Sequence, residues 1–235
     1  MKIQSKWAAV LAELVGTFGL TFAILAALKT QGGAMQLAQM NMLGHVETVP
    51  AYLLTTPFVA AIALGIIVAL LGGISGGHIN PAITIGLWTL KKVDTSKAVM
   101  YVIAQLAGAT IALLLAHYFM SSLSISTFTG PASIELFVAE ALGTMMLAFG
   151  VAAVVLNNKT GHEAGLLVGG SLFVGIVFAA FATGGGILNP AVMVGLQSIS
   201  WSFALGPIVG AIVGVQLYNL LYSSTITAVK AKTKK

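Results

Sequence analysis

The chain has 235 residues, of which 58% are hydrophobic and only 7% are charged. Soluble domains carry roughly 25% charged residues, so this composition excludes a soluble domain and indicates a membrane protein. The sequence contains no cysteine, which excludes disulfides, thiolate metal sites and thiol nucleophiles. The net charge is +5, but the cationic residues lie at segment ends and in the C-terminal tail, so they do not indicate a nucleic-acid partner.

Six apolar runs are long enough to cross a bilayer as helices, which takes about 20 residues. They lie near 7–28, 51–72, 98–120, 133–156, 164–183 and 203–224. The first run is longer than the core of a signal peptide and contains Glu13, so it is interpreted as a retained span. No polar segment is long enough to form a core of its own, and residues 1–235 are therefore predicted to form a single all-α membrane domain.

Two further apolar runs, at 80–90 and 189–200, are too short to span the membrane. As helices they would each be roughly 16 Å long, which is about half the thickness of the hydrocarbon layer. Such segments can enter the membrane and stop midway if they are buried in protein. Residues 29–50, between the first two spans, are predicted to form a long outer loop.

The lysines predict the orientation of the chain. If the N-terminus is cytoplasmic, all the lysines except Lys29 fall in inner segments. Inner segments of membrane proteins are enriched in lysine and arginine. The sequence therefore predicts a multi-pass protein of the cell membrane (plasma or inner membrane) with both termini in the cytoplasm.

The two halves of the chain repeat. The first span reads Glu-Leu-Val-Gly-Thr from Glu13, and the fourth reads Glu-Ala-Leu-Gly-Thr from Glu140. Each half contains three spans, an odd number, so the second half must be inverted in the membrane relative to the first. The sequence predicts an inverted repeat of approximately 7–120 and 133–224. Inverted repeats with broken helices place a substrate path at the bilayer midplane.

Both short runs open with the same tripeptide, Asn80-Pro81-Ala82 and Asn189-Pro190-Ala191. Asparagine is a favoured helix N-cap and proline suits the first helical position, so one copy alone is explained as a cap. Two copies that open half-length segments in inverted halves indicate a pore. The helix N-termini would meet near the middle, each with roughly half a positive charge that repels cations. The asparagine amides would donate hydrogen bonds to a neutral molecule passing between them.

The segment Ser75–Trp88 (SGGHINPAITIGLW) resembles the first signature of the aquaporin, or major intrinsic protein, family. Tyr101–Gln105 and Gly206–Gly210 are similar to the third and sixth spans of that family. The resemblance covers nearly the whole chain. It implies an aquaporin-like right-handed bundle of six transmembrane helices plus two re-entrant half-helices, assembled as a homotetramer with one pore per subunit. The chain looks closest to the bacterial water-channel branch, because of its length and short loops and because the aspartate typical of the glycerol-facilitator branch does not follow the second motif.

The resemblance also implies structural roles for three polar residues. Glu13 and Glu140 would each accept hydrogen bonds from the irregular backbone of a re-entrant loop, and His78 would be a hydrogen-bonding loop histidine. A proton relay is the alternative for the glutamates, because a carboxylate in the membrane is costly and is often functional. A pH gate is the alternative for His78.

The sequence departs from the family at the outer filter. Water channels of this family carry an arginine three residues after the second asparagine, where this chain has Val192, and it contains no arginine elsewhere. Distance from the motifs places the other filter positions at Ala60, Val177 and Gly186. If the stretch before the second asparagine holds one extra residue, Ile176 takes the place of Val177. We therefore expect a wide, apolar filter that passes water and/or glycerol, urea, ammonia or peroxide, although apolar constrictions can also dewet.

Three alternatives remain open. The outer loop could fold over the mouth, with Lys29 or His45 supplying the missing polarity. An ion-coupled secondary transporter with inverted repeats is the alternative function, although only Glu13 and Glu140 could contribute carboxylates to its ion site. A structural or adhesive role in the same fold is the third. The four histidines show no ligand spacing and no nucleophile is paired with a base, so no enzyme, catalytic residue, metal or cofactor is predicted. The expected partners are water, small neutral solutes and the bilayer, with no nucleic acid.

Overall fold

A computed structural model of the chain describes the backbone of residues 2–31, 36–40, 46–50, 52–119 and 132–232, with side-chain burial described for 6–29, 55–119, 132–182 and 184–223. The helices in these ranges are α1 (Lys2–Gln31), α2 (Tyr52–Ser75), α3 (Pro81–Thr89), α4 (Thr95–Phe119), α5 (Ile134–Leu156), α6 (Gly161–Thr183), α7 (Pro190–Gly195) and α8 (Trp201–Lys232). An antiparallel hairpin of β1 (Gln36–Met40) and β2 (Val46–Pro50) lies between α1 and α2.

Six of the described helices (α1, α2, α4, α5, α6 and α8) are long and apolar enough to cross a membrane. The prediction of six long apolar helices and two short ones is confirmed. Large apolar side chains point outward: Phe181 is 96% exposed and Leu166 is 78% exposed. Outward-facing surfaces of this kind are stable in a bilayer and unfavourable in water.

Two predicted boundaries need correction. Residues 29–50 were expected to form a loop, but they contain the two strands of the hairpin; His45 lies outside the described residues. The second short helix was expected to run from 189 to 200, but α7 ends at Gly195. There the Leu196 N–H bonds back to the carbonyl of Val192, and Gln197 adopts a left-handed φ of 54°, which stops the helix.

Small residues set the distances between the long helices. A Cβ atom on Gly165 of α6 would collide with the backbone carbonyl of Gly65 in α2. A Cβ on Gly210 of α8 would likewise collide with the carbonyl of Ala141 in α5. Without a hydrophobic driving force between helices in lipid, such close backbone approach provides the van der Waals packing that holds a membrane bundle together.

Candidate functional site

The two short helices begin at the predicted asparagines. Asn80 caps α3, with its side-chain oxygen accepting a hydrogen bond from the Ala82 N–H at 2.8 Å. Asn189 caps α7 by accepting from the Ala191 N–H at 3.0 Å. Both caps have extended backbone conformations and are followed by proline at the first helical position. The tripeptides therefore fix where each helix starts and orient each amide group.

The two asparagines are tied together by crossed hydrogen bonds. The Asn80 Nδ2 donates to the carbonyl of Leu188 at 2.8 Å, and the Asn189 Nδ2 donates to the carbonyl of Ile79 at 3.0 Å. The two carbonyls belong to residues in the left-handed region, with φ of 53° at Ile79 and 56° at Leu188. This conformation costs of order 1–3 kcal/mol for residues other than glycine and tends to occur at functional sites. The N-termini of α3 and α7 are thereby held against each other.

Both asparagines line a cavity of about 60 Å³. One water needs at least ~10–15 Å³, so the cavity has room for several. An amide nitrogen has two N–H groups, and each crossed bond uses one of them, so each asparagine retains a second donor for a molecule in the cavity. Among the described residues, the polar side chains in the wall are Thr56, His78 and the two asparagines. The rest of the wall is apolar side chains and glycine.

Three of the expected filter residues, Ala60, Gly186 and Val192, lie in the cavity wall. Val177 does not: its side chain is 43% exposed and outside the wall, whereas Ile176 is 7% exposed and lines the cavity. Successive side chains of a helix point about 100° apart, so only one of these two neighbours can face the cavity. Counting back from Asn189 selects Val177, but one extra residue in the loop between α6 and Asn189 shifts the count to Ile176. Lys29 is at the exposed end of α1 and is not part of the wall.

Glu13 is fully buried and accepts four hydrogen bonds. The donors are the N–H groups of His78 and Ile79, the Ser75 hydroxyl and the Gln105 amide, at 2.6–3.0 Å. A carboxylate has about four acceptor positions, so these donors saturate it. Glu13 therefore anchors the loop that leads into α3.

Glu140 is also fully buried but accepts only two described hydrogen bonds, from the N–H groups of Ile187 and Leu188 at 2.8 and 2.7 Å. It anchors the loop that leads into α7. Neither glutamate lies in the cavity wall. Within the part of the chain that is described, no group of three acidic, histidine or cysteine residues could hold a metal ion.

Several residues that hold the loop leading into α3 in place were not predicted as site residues. Thr84 and Tyr101 contact His78, and Gln105 joins Thr84 to Glu13. The Tyr101 hydroxyl donates to the carbonyl of Ser75 at 2.6 Å. The available signal was a glutamine in the middle of an apolar span, because a buried polar side chain in a membrane helix requires a partner.

Comparisons with known proteins agree with this geometry. Residues 1–218 match the sequence profile of the family described as Major intrinsic protein. The chain is 32% identical over 231 residues to a probable aquaporin TIP1-1 of Oryza sativa subsp. japonica, covering 92% of this chain and 87% of the relative. It is 31% identical over 219 residues to nodulin-26 of Glycine max, covering 89% of this chain and 76% of the relative.

A similar fold is found in a solved structure. The aquaglyceroporin from Plasmodium falciparum superposes with a TM-score of 0.69 at 20% sequence identity, covering 95% of this chain and 98% of that chain. At this identity the likeness concerns the fold, whereas the family profile and the relatives concern the sequence. Together they show that this chain belongs to the major intrinsic protein family and is a multi-pass membrane protein that acts as a passive channel for water and small solutes, not as an enzyme.

Proposed function

We propose that permeating molecules cross through the cavity between Asn80 and Asn189. The observation that carries this proposal is the crossed pair of amide bonds, which sets two helix N-termini at one point of the cavity wall. Each N-terminus carries roughly half a positive charge, so a cation is repelled there. A neutral molecule with a lone pair accepts from the free amide N–H groups instead, which interrupts a continuous proton wire.

The polarity of the filter is set by four residues of the cavity wall, Ala60, Ile176, Gly186 and Val192. All four are apolar or glycine, and Val192, at the position where the family resemblance implies an arginine, is 2% exposed. We propose that this part of the cavity is a wide apolar filter that admits glycerol, urea, ammonia or peroxide besides water. Without a cationic side chain there, exclusion of cations depends on the helix dipoles at the asparagines.

The assembly and orientation are also part of the proposal. We infer a homotetramer with one pore per subunit, built from a single domain of two inverted halves, in the plasma or inner membrane with both termini cytoplasmic. The lysine distribution supports this orientation. Cross-linking in native membranes tests the assembly, with a ladder that ends at four chains as the expected result.

Stopped-flow light scattering of proteoliposomes tests the transport. A sucrose gradient measures water permeability, and a glycerol gradient measures solute entry as reswelling. We expect both rates to exceed those of protein-free liposomes made from the same lipid. A channel that passes water and excludes glycerol would refute the wide filter while leaving the pore at the asparagines intact.

Replacing the filter valine sharpens this test. We expect Val192→Arg to lower glycerol flux more than water flux, because a long cationic side chain narrows the filter and still hydrogen-bonds to water. Val192→Met is the matched control, since it adds comparable length without charge. If both variants change the ratio of glycerol to water flux equally, the missing charge does not determine selectivity.

A further inference from the structure

Thr56 of α2 is a polar side chain at one end of the cavity wall. Thr56, Ala60 and Leu64 recur every four residues of α2, and all three line the cavity. Residues four apart lie on one face of a helix, so this stripe marks the face that α2 turns toward the cavity. Thr56 is partly buried and lies one turn before the expected filter residue Ala60. The stripe therefore begins with a hydroxyl and continues with hydrocarbon side chains.

The depth of Thr56 in the cavity follows from the surroundings of Gly16 in α1. A Cβ on Gly16 would meet the side chains of both Ile79 and Ile67, so the loop leading into α3 reaches α2 at the level of Ile67. At a rise of about 1.5 Å per residue, Thr56 is roughly 16 Å from that level along α2 and Ala60 is roughly 10 Å from it. Ala60 thus lies between Thr56 and the asparagines. In the proposed orientation, Thr56 is on the outer side of the filter.

The wall residues of the neighbouring long helices α1 and α6 are apolar. On α1 they are leucine and isoleucine, and on α6 they are Val168, Leu172, Ile176 and Ala180. Among the described residues, the other polar side chains of the wall are His78 and the two asparagines. These three lie in or next to the loops that lead into the short helices. Of the polar side chains described in the wall, Thr56 is therefore the one beyond the filter, away from the asparagines.

The first turns of α2 offer hydrogen-bonding groups from both a side chain and the backbone. A threonine hydroxyl has one hydrogen and two acceptor positions, so one bond within the protein leaves other positions available. Pro57, which also lines the cavity, lies inside the helix and has no N–H. The carbonyl of Leu53 points along the helix toward Pro57, so it lacks the donor that another residue would provide there. Hydroxyl and carbonyl thus lie together at this end of the wall.

We propose that Thr56 is a specificity-determining residue that hydrogen-bonds to the hydroxyl groups of a short polyol, such as glycerol, as the polyol enters the apolar filter. The inference rests on the proposed pore. A water molecule in a narrow passage keeps hydrogen bonds to the waters before and behind it. A polyol that fills the cross-section loses water from its sides, and each hydroxyl left unsatisfied is costly. Thr56 replaces one lost bond, while the apolar side chains opposite contact the hydrocarbon edge of the polyol.

Proteoliposomes that carry Thr56→Val test this inference. Valine has the shape of threonine without the hydroxyl, so the width of the passage is kept. We expect glycerol permeability to fall roughly twofold to tenfold, the range that one neutral hydrogen bond contributes, and water permeability to fall less. Stopped-flow light scattering measures both rates, normalised to the amount of reconstituted protein. A ratio of glycerol to water permeability equal to that of the wild type would overturn the proposal.

Two matched variants test whether the hydroxyl itself is responsible. Thr56→Ser keeps the hydroxyl and should retain a ratio close to that of the wild type. Thr55→Val makes the same replacement one residue earlier, where the side chain is exposed and outside the cavity wall, and should leave the ratio unchanged. An effect of Thr55→Val as large as that of Thr56→Val would overturn the role of the hydroxyl. So would a Thr56→Ser channel that behaves like Thr56→Val.

A third variant separates hydrogen bonding from the width of the passage. Thr56→Ala removes the hydroxyl and also widens the cavity, and we still expect a lower ratio of glycerol to water permeability. A higher ratio would show that size limits glycerol at this residue, which contradicts the proposal. A wild type that passes neither water nor glycerol would overturn the proposed pore as well. A wild type that passes both, with a ratio that the Thr56 variants do not change, would overturn this inference alone.

Discussion

The loops that lead into α3 and α7 end in the same geometry but are supported differently. In both, the residue before the asparagine is left-handed and gives its carbonyl to the opposite asparagine. The first loop is anchored by a glutamate with four hydrogen bonds, two of them from side chains. The second glutamate has two described hydrogen bonds, both from the backbone.

Steric packing replaces the missing polar contacts in the second half. Leu188 packs where Gly143 of α5 and Gly175 of α6 approach each other, so closely that a Cβ on either would collide with the carbonyl of the other. In the first half, Gly16 faces the side chains of Ile79 and Ile67 rather than a backbone carbonyl. Both loops thus share the crossed asparagine bonds, but the first is held mainly by a polar network and the second by close glycine packing.

Removing the glutamates should have the largest effect on stability. Glu13→Ala removes the acceptor of four donors, three of them buried and one part-buried, whereas Glu140→Ala removes the acceptor of two buried donors. Each unsatisfied buried group costs about 1–3 kcal/mol, so both variants should be strongly destabilised and Glu13→Ala more so. Thermal unfolding of the detergent-purified protein, monitored by size-exclusion chromatography, measures which variant loses more stability. Equal losses would mean that the difference in hydrogen bonding between the halves has no energetic consequence.

Replacing glycine by alanine should lower stability by an intermediate amount. In contrast to the glutamate variants, the larger loss is expected in the second half of the chain. Gly175→Ala places a Cβ against a backbone carbonyl, and overpacking of this kind costs about 1–3 kcal/mol. Gly16→Ala meets side-chain atoms of Ile79 and Ile67 instead of a backbone carbonyl, and side chains shift more readily than backbone, so we expect a smaller loss of stability. Gly170→Ala, on the same helix as Gly175 and with open space at its Cβ, is the control. A Gly16 variant less stable than the Gly175 variant in the same thermal assay would contradict the steric account.

The smallest effect on stability is expected from replacing Thr21. Its hydroxyl is buried and has no hydrogen-bond partner among the described residues. Thr21→Val removes an unpaired polar group at constant shape, so stability should be unchanged or slightly higher. Ala148 occupies the matching place in the second half, eight residues after its glutamate, where no hydroxyl is present. Thr17→Val, which breaks a 2.8 Å bond to the Glu13 carbonyl, serves as the comparison. A loss at Thr21 as large as at Thr17 would show that the Thr21 hydroxyl has a partner.

The long helices were predictable because bilayer thickness sets the length of an apolar run. The starts of α3 and α7 were predictable because asparagine and proline have specific roles at helix N-termini. The end of α7 was placed too late, although residues 197–200 read Gln-Ser-Ile-Ser and the apolar run itself stops at Leu196, next to the observed end of the helix at Gly195. The hairpin between α1 and α2 was also missed, since its strands are short and adjoin polar residues.

The cavity wall was harder to predict than the helices. Ala60, Gly186 and Val192 could be placed by counting from the asparagines, and all three line the cavity. Counting could not choose between Ile176 and Val177. A difference of one residue in the loop between α6 and Asn189 shifts the predicted position to the next residue of α6, which points about 100° away. The hydrogen bonds of Gln105 and Thr84 join residues distant in the sequence, and only three-dimensional packing shows which groups they bind.

The crossed asparagine bonds also constrain how the protein is made. Synthesis delivers the N-terminal half to the membrane first. At that stage the Asn80 amide and the Ile79 carbonyl lack the partners that α7 and its loop later provide. Neither half can complete its own re-entrant segment, so the two must meet before either is finished. A chain split between α4 and α5 should therefore need both fragments in the same bilayer to regain its conduit.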